Sequence, residues 1–501
     1  MFIFLIGSGP FLFAQANGKL KMNTVLNIYL ENALVDDSFK IEIFDHYFRN
    51  SLPNRVGYAQ NNKNGTYTFE SNDLKQPVYI NLFKQSSIDV PLLSILNIYL
   101  VEPGDNVTIN IKKRNAKSTK YSIGFDPTYE VVFTGKGSTK YKCRYEFNEI
   151  LGTNSGNRNI LDSNLNFVSN NYFVKVYDLA YKNLKGYKNR ISNKAYTILN
   201  VDFFSFIEIQ KLESLSSNHL SYLKDTFLIN KISSRYQYAT KKSENDFPLE
   251  AKIASAYYSQ YVLDKSSIGK YHGGSGKRIK EKYINEIYVF LKGYNEGELR
   301  DKLLTIFTFS ITNSQFSESI LGDVLTIVKG YYLEELNSFA EQNSVGKLAY
   351  NFNLPDTNSK LVRLEDFKGK VVFIDFWYNG CPGCVDYYIN VVSKAEDHFK
   401  NNTEVVFLTI SIDVDRKKWM TGIYSGKYTT PHIVNLFTDG KGSNHPIIKN
   451  FRVNSYPRPI LIDREGKIYS NNDDELRRGG VTKLIDIIEK AVTSKQIGLS
   501  N

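Results

Sequence analysis

One tetrapeptide constrains this chain more than any other stretch. Cys381-Pro382-Gly383-Cys384 stands between the apolar run Val371 to Phe376 and a stretch, Pro382 to Lys400, that reads as a helix. A thiol at the start of a helix meets unpaired amides and the positive end of the helix dipole, and both favour a thiolate. Pro382 suits the first turn, where its missing N–H would have no helical partner anyway. The C-x-x-C spacing puts both sulfurs on one helical face, within bonding reach. Cys381 is therefore expected to attack, and Cys384, one turn deeper, to resolve the mixed disulfide. Zinc is the competing reading of such a pair. Tetrahedral zinc needs further Cys or His ligands, but no second C-x-x-C exists and His432 and His445 lack the spacing, so no metal is expected. A purely structural disulfide would close too short a loop to add much stability.

The flanking sequence alternates strands with helices. Val371 to Phe376 is apolar except at Asp375, Val405 to Ile412 repeats the pattern, and Pro459 to Asp463 is a third buried strand. Glu465-Gly466-Lys467 turns the chain into a fourth strand at Ile468, and Val481 to Val492 closes with a helix carrying Leu484, Ile485, Ile488 and Ala491 on one face. Continuous apolar strands between helices predict a central sheet covered on both sides, over residues 343–495.

A chain of 501 residues holds more than this. Over residues 17–136 the period is two. Phe39, Ile41 and Ile43 alternate with polar neighbours, as do Val78, Ile80 and Leu82, then Leu96, Ile98 and Leu100, then Val107, Ile109 and Ile111. Half-buried antiparallel strands closing into a β-sandwich are expected. Residues 137–342 change to a helical period, with stripes at Phe203, Phe204, Ile207, Leu212 and Leu215, and at Ile284, Ile287, Tyr288, Leu291 and Tyr294. These read as core faces of an all-α region. Between the two, Gly135-Lys136-Gly137-Ser138-Thr139-Lys140 lacks the glycine spacing of a phosphate loop and reads as a linker into a capped helix.

The formal charge of +11 raises the question of a polyanionic partner. The basic residues are scattered, the densest cluster (Lys270 to Lys282) reads as a solvated loop, and no nucleic-acid-binding motif accompanies it, so no nucleic acid is expected. Only three cysteines are present, which excludes a disulfide-stapled scaffold; the third, Cys143, reads as a small buried hydrophobe. Residues 1–16 combine an apolar run, Phe2 to Phe13, with the small-x-small site Ala14-Gln15-Ala16, although no Lys or Arg precedes the run. A signal peptide and export are expected, with no later stretch long and apolar enough to span a membrane.

The stretch Ile374-Asp375-Phe376-Trp377-Tyr378-Asn379-Gly380-Cys381-Pro382-Gly383-Cys384 resembles the active-site segment of thioredoxins, and roughly 346–495 resembles the exported TlpA/ResA-like thiol–disulfide oxidoreductases. Phe352-Asn353-Leu354-Pro355-Asp356, Leu364 to Lys370, and Tyr456-Pro457-Arg458-Pro459 extend the likeness. The resemblance implies a thioredoxin fold with Cys381 and Cys384 as the redox pair and Asp375 as a buried carboxylate behind Cys384. It implies a cis-proline at Pro457 facing the cysteines, with Tyr456 backbone pairing a substrate chain and Trp377 packed beside the site as a substrate contact. Gly380 stands where these proteins commonly carry Trp, and the Pro-Gly dipeptide also departs from the usual pattern.

The expectation is a multidomain exported protein: β-sandwich, helical region, then thioredoxin-fold oxidoreductase. It would reduce cysteine-containing proteins of the periplasm or cell envelope. A membrane thiol transducer would supply electrons, and no organic cofactor would be needed. Two alternatives remain. One is a non-catalytic binding module using the thioredoxin fold as a docking surface. The other is a thiol peroxidase, although Tyr378 stands where a peroxiredoxin motif needs Thr.

Overall fold

The computed structural model describes residues 23–494, apart from 35–36, 49–50, 61–63, 86–92, 115–128, 154–171, 216–245, 269, 271–278, 280, 295–296, 312–316, 344 and 454. The stretch read as a signal peptide and most of the Lys270 to Lys282 cluster lie outside the described residues.

The period-two segments form strands in two four-stranded sheets. The first has the order β4 (Thr66–Ser71), β1 (Thr24–Leu30), β7 (Asn106–Lys113), β8 (Tyr129–Lys136). The second has the order β3 (Arg55–Gln60), β2 (Ser38–Phe44), β5 (Val78–Gln85), β6 (Leu93–Val101). Leu26, Ile28 and Ile109 of the first share one apolar cluster with Ile41, Leu82 and Leu96 of the second. One pairing departs from expectation: β1 and β7 run parallel. A parallel neighbour needs a long crossover, and here the whole second sheet lies in sequence between them.

Gly135 and Gly137 both take positive φ, at 93° and 90°. A Cβ on Gly137 would lie 2.0 Å from Asp105 Oδ1. Asp105 instead accepts from buried Lys140 Nζ at 2.6 Å, pinning the start of α1 (Ser138–Thr153) to the turn before β7. The glycines thus serve a close backbone approach.

Helices follow from Ser138 to Asn343. Both apolar stripes enter one core, where Phe147 stacks on Phe203 with centroids 3.8 Å apart. Cys143 is fully buried there, and burial pushes its thiol up to about 12, so it is not a ready nucleophile. Tyr79 of β5 donates to buried Asp202 at 2.7 Å, joining the second sheet to the helices. Among the described residues no helix is long and apolar enough to cross a membrane.

After a two-stranded ribbon of β9 (Asn353–Pro355) and β10 (Leu361–Arg363), the last region is a five-stranded sheet of order β13 (Val434–Phe437), β12 (Val405–Ser411), β11 (Val371–Trp377), β14 (Arg458–Ile462), β15 (Ile468–Ser470). β11 is central and buried along its whole length. Parallel pairing with β12 and antiparallel pairing with β14 give the thioredoxin-like arrangement. Phe376 lies opposite Arg458. That register brings the segment before β14, including Pro457, to the end of β11 from which Cys381 follows. The helix expected from Pro382 to Lys400 is interrupted. After Pro382–Tyr387 comes a π turn, Tyr388–Val392, then Ser393–Phe399. Such bulges widen one turn of a helix and often sit near functional sites.

Candidate functional site

Cys381 is the N-cap of the helix that begins at Pro382, and Cys381 Sγ accepts the Cys384 N–H at 3.1 Å. That bond directs one of the unpaired helix-start amides at the sulfur, the geometry that stabilises a thiolate once the pair is reduced. In this structure Cys381 and Cys384 are joined as a disulfide, with Cα atoms 5.3 Å apart. Both are nearly buried, at 3% and 1% exposure.

The loop leading into Cys381 is held by groups that the motif does not reveal. Asp413 accepts the Asn379 N–H at 3.0 Å, Asn379 Nδ2 donates to the Lys418 carbonyl at 3.1 Å, and Tyr428 Oη accepts the Gly380 N–H at 2.8 Å. Gly380 has φ of 96°, a conformation open to glycine and costly for a side chain. The departure noted at Gly380 thus has a backbone cause: a tryptophan there would be strained.

The Tyr456–Pro457 peptide is cis. Pro457 Cδ lies 3.5 Å, and the Tyr456 carbonyl oxygen 3.7 Å, from the position a Gly383 Cβ would take. The sheet register therefore sets this segment directly against the helix that carries both cysteines. Gly383 leaves that approach open.

Trp377 is fully buried. It stacks on Tyr428 with centroids 4.8 Å apart, and its ring lies 2.7 Å from where a Gly422 Cβ would be. It offers no surface to a substrate here. The expected substrate contact is corrected to a packing role, fixing Tyr428, which in turn holds Gly380.

Asp375 lies on the same face of β11 as Phe373 and Trp377, the face toward Tyr387 of the cysteine-bearing helix. It is 2% exposed, and its Oδ1 has no hydrogen-bond partner among the described residues. Burial pushes its carboxyl up to about 8; the Arg477 guanidinium opposes this. A buried carboxyl that titrates near physiological pH can take or give a proton. Asp413 is also pushed up, to about 6, by burial. It is committed to the Asn379 amide.

Of the residues expected at the site, the two cysteines are joined and Pro457 lies against their helix at Gly383, while Asp375 is buried on β11 facing Tyr387 of that helix. Sequence reasoning did not find Asp413 or Tyr428. Tyr428 carried no motif signal, and Asp413 carried only its place just past a buried strand.

Comparison with known proteins places this region in a class. Residues 345–470 match the AhpC/TSA family and form a thioredoxin-like domain of that kind. Its relatives include ResA/TlpA-like thiol-disulfide oxidoreductases. Thiol-disulfide oxidoreductase ResA of Bacillus thuringiensis is 29% identical over 143 residues, which covers 28% of this chain and 75% of that protein. ResA of Bacillus subtilis is 27% identical over 154 residues, covering 31% of this chain and 81% of that protein. Among solved structures, the thioredoxin domain of a thiol-disulfide oxidoreductase from Bacteroides vulgatus is 25% identical, covers 30% of this chain and 99% of that one, and has a TM-score of 0.26. A thiol:disulfide interchange protein from Bacteroides sp. is 24% identical, covers 31% and 95%, and has a TM-score of 0.25.

Proposed function

We propose that this protein is an exported thiol–disulfide oxidoreductase that reduces disulfides of cell-envelope proteins through Cys381 and Cys384. The observation that carries the reading is the disulfide at a helix N-terminus, set against the Tyr456–Pro457 segment and backed by a buried carboxyl. Cys381 thiolate attacks one sulfur of the substrate disulfide, forming a mixed disulfide and releasing the other sulfur as a thiolate. Cys384 thiolate then attacks Cys381 Sγ, which releases the second substrate thiolate and closes the Cys381–Cys384 bond. Two electrons pass to the substrate, and its thiolates take up two protons. A membrane thiol transducer restores the dithiol. Tyr456 backbone groups pair with the substrate chain, Asp375 takes the proton of Cys384, and the chemistry needs no organic cofactor or metal. Export rests on the apolar run before Ala14-Gln15-Ala16. The two upstream sheets are read as a sandwich whose second sheet borders the redox domain.

With dithiothreitol as electron source, the full chain is expected to accelerate reduction of insulin disulfides, followed as turbidity. No acceleration, with no acceleration for a small disulfide either, would reject the reading in favour of a binding module. Turnover of hydroperoxide in place of disulfide would favour a peroxidase.

A further inference from the structure

Between the second N-terminal sheet and the redox domain lies a cavity of about 370 Å3. Phe83, Val56 and the Lys40–Glu42 pair line it from β2, β3 and β5, and Tyr378 and Tyr456 line it from the redox domain. Those two tyrosines also pack against the cluster that contains both cysteines, and their rings meet edge to face at 5.4 Å. They form the edge of the cavity nearest the disulfide.

The sheet does not rest there loosely. Lys40 Nζ donates to Ser443 Oγ at 3.1 Å and to Glu42 at 2.6 Å. From the other side, Arg452 donates to Glu335 of the helix Gly330–Asn343 at 3.2 Å. Both anchors lie on the stretch that leads into Pro457, so the upstream regions brace the segment facing the cysteines.

We propose that this cavity is a subsite for a large apolar side chain next to the target cysteine of a substrate polypeptide, a specificity element supplied by the N-terminal sheet. The inference rests on the reductase reading and deepens it. A chain pairing with the Tyr456 backbone alternates its side chains, so one beside the cysteine points toward Tyr456. A cavity of about 150 Å3 already holds a benzene-sized group, so this one takes an aromatic or branched aliphatic side chain with room for part of its neighbour. Lys40 is neutralised by Glu42, which leaves the interior without a net charge. At the lining, exposed Lys449 makes no ion pair among the described residues. An acidic residue near the apolar one would meet it. The occupant is therefore an apolar-acidic segment flanking a cysteine.

The test compares the full chain with its Val56→Trp and Lys449→Glu variants. Three disulfide substrates are used: peptides with Asp-Phe or with Gly-Gly beside the cysteine, and uncharged hydroxyethyl disulfide. The unaltered protein is expected to reduce the Asp-Phe peptide with a kcat/KM about tenfold or more above the Gly-Gly peptide, the scale of one apolar side chain in a pocket. Val56→Trp, which puts an indole into the cavity from the sheet side, is expected to abolish that ratio while hydroxyethyl disulfide is reduced as before. Lys449→Glu, on the surface and safe for folding, is expected to lower the Asp-Phe advantage about two- to fivefold. Equal rates for both peptides in the unaltered protein would overturn the subsite alone. So would an advantage that survives Val56→Trp, or one untouched by Lys449→Glu. Failure to reduce even hydroxyethyl disulfide would instead overturn the reductase reading beneath it.

Discussion

A Cys384→Ser variant is expected to attack a protein disulfide once and stop. Cys381 keeps its place at the helix start and still forms the mixed disulfide, but no second thiol remains to displace the substrate. Turnover should fall about a thousandfold or more, the scale of losing one member of a catalytic unit. The trapped adduct should appear as a single added mass on the intact protein, removed by dithiothreitol. Cys381→Ser should be equally inactive and form no adduct, because it removes the sulfur at the helix N-cap, the one that accepts the Cys384 amide and is set up to attack. Cys143 offers no substitute, since burial holds its thiol protonated. Normal turnover by Cys384→Ser would remove the two-cysteine mechanism.

Asp375→Asn is expected to change both rate and stability, in opposite directions. The native carboxyl titrates at about 8, whereas an unfolded aspartate titrates at about 3.9. Between those values the folded protein holds a proton that the unfolded chain has lost. Stability therefore falls as pH rises across that window, and the deficit is complete above pH of about 8. Replacing the carboxyl with an amide removes the deficit. Asp375→Asn should be about 1–3 kcal/mol more stable at pH 8 and little changed near pH 4, read from denaturant midpoints. Its resolving step should slow about 100-fold and lose the rise with pH toward 8 that the carboxylate gives as proton acceptor for Cys384. Equal stability at pH 8 with an unchanged pH profile would mean Asp375 is neither strained by burial nor involved in proton transfer.

The redox core was legible because its signals are local. A buried strand, a helix start and two cysteines at fixed spacing specify one arrangement within about a dozen residues. Asp375 stood out as the single charge in an apolar strand. The supports of the site were not legible, because they are distant in sequence and joined only by packing. Tyr428 reaches Gly380 from 48 residues away, and Asp413 reaches Asn379 from 34. The short strand Val434–Phe437 escaped notice because four residues carry too little period. The parallel β1–β7 pairing escaped because alternation marks a strand but not its partner. Gly380 shows the reverse case: a residue that looked like a departure from pattern meets a backbone demand at φ of 96°.

Cys381 and Cys384 are expected to form a reversible couple and not a structural staple. Equilibrating the full chain in glutathione buffers and counting alkylated thiols by mass tests this directly. One two-electron transition confined to Cys381 and Cys384 is expected, at a potential between about −120 and −270 mV, the range of exchange catalysts. A bond that stays closed at potentials below about −300 mV, as structural disulfides do, would contradict it.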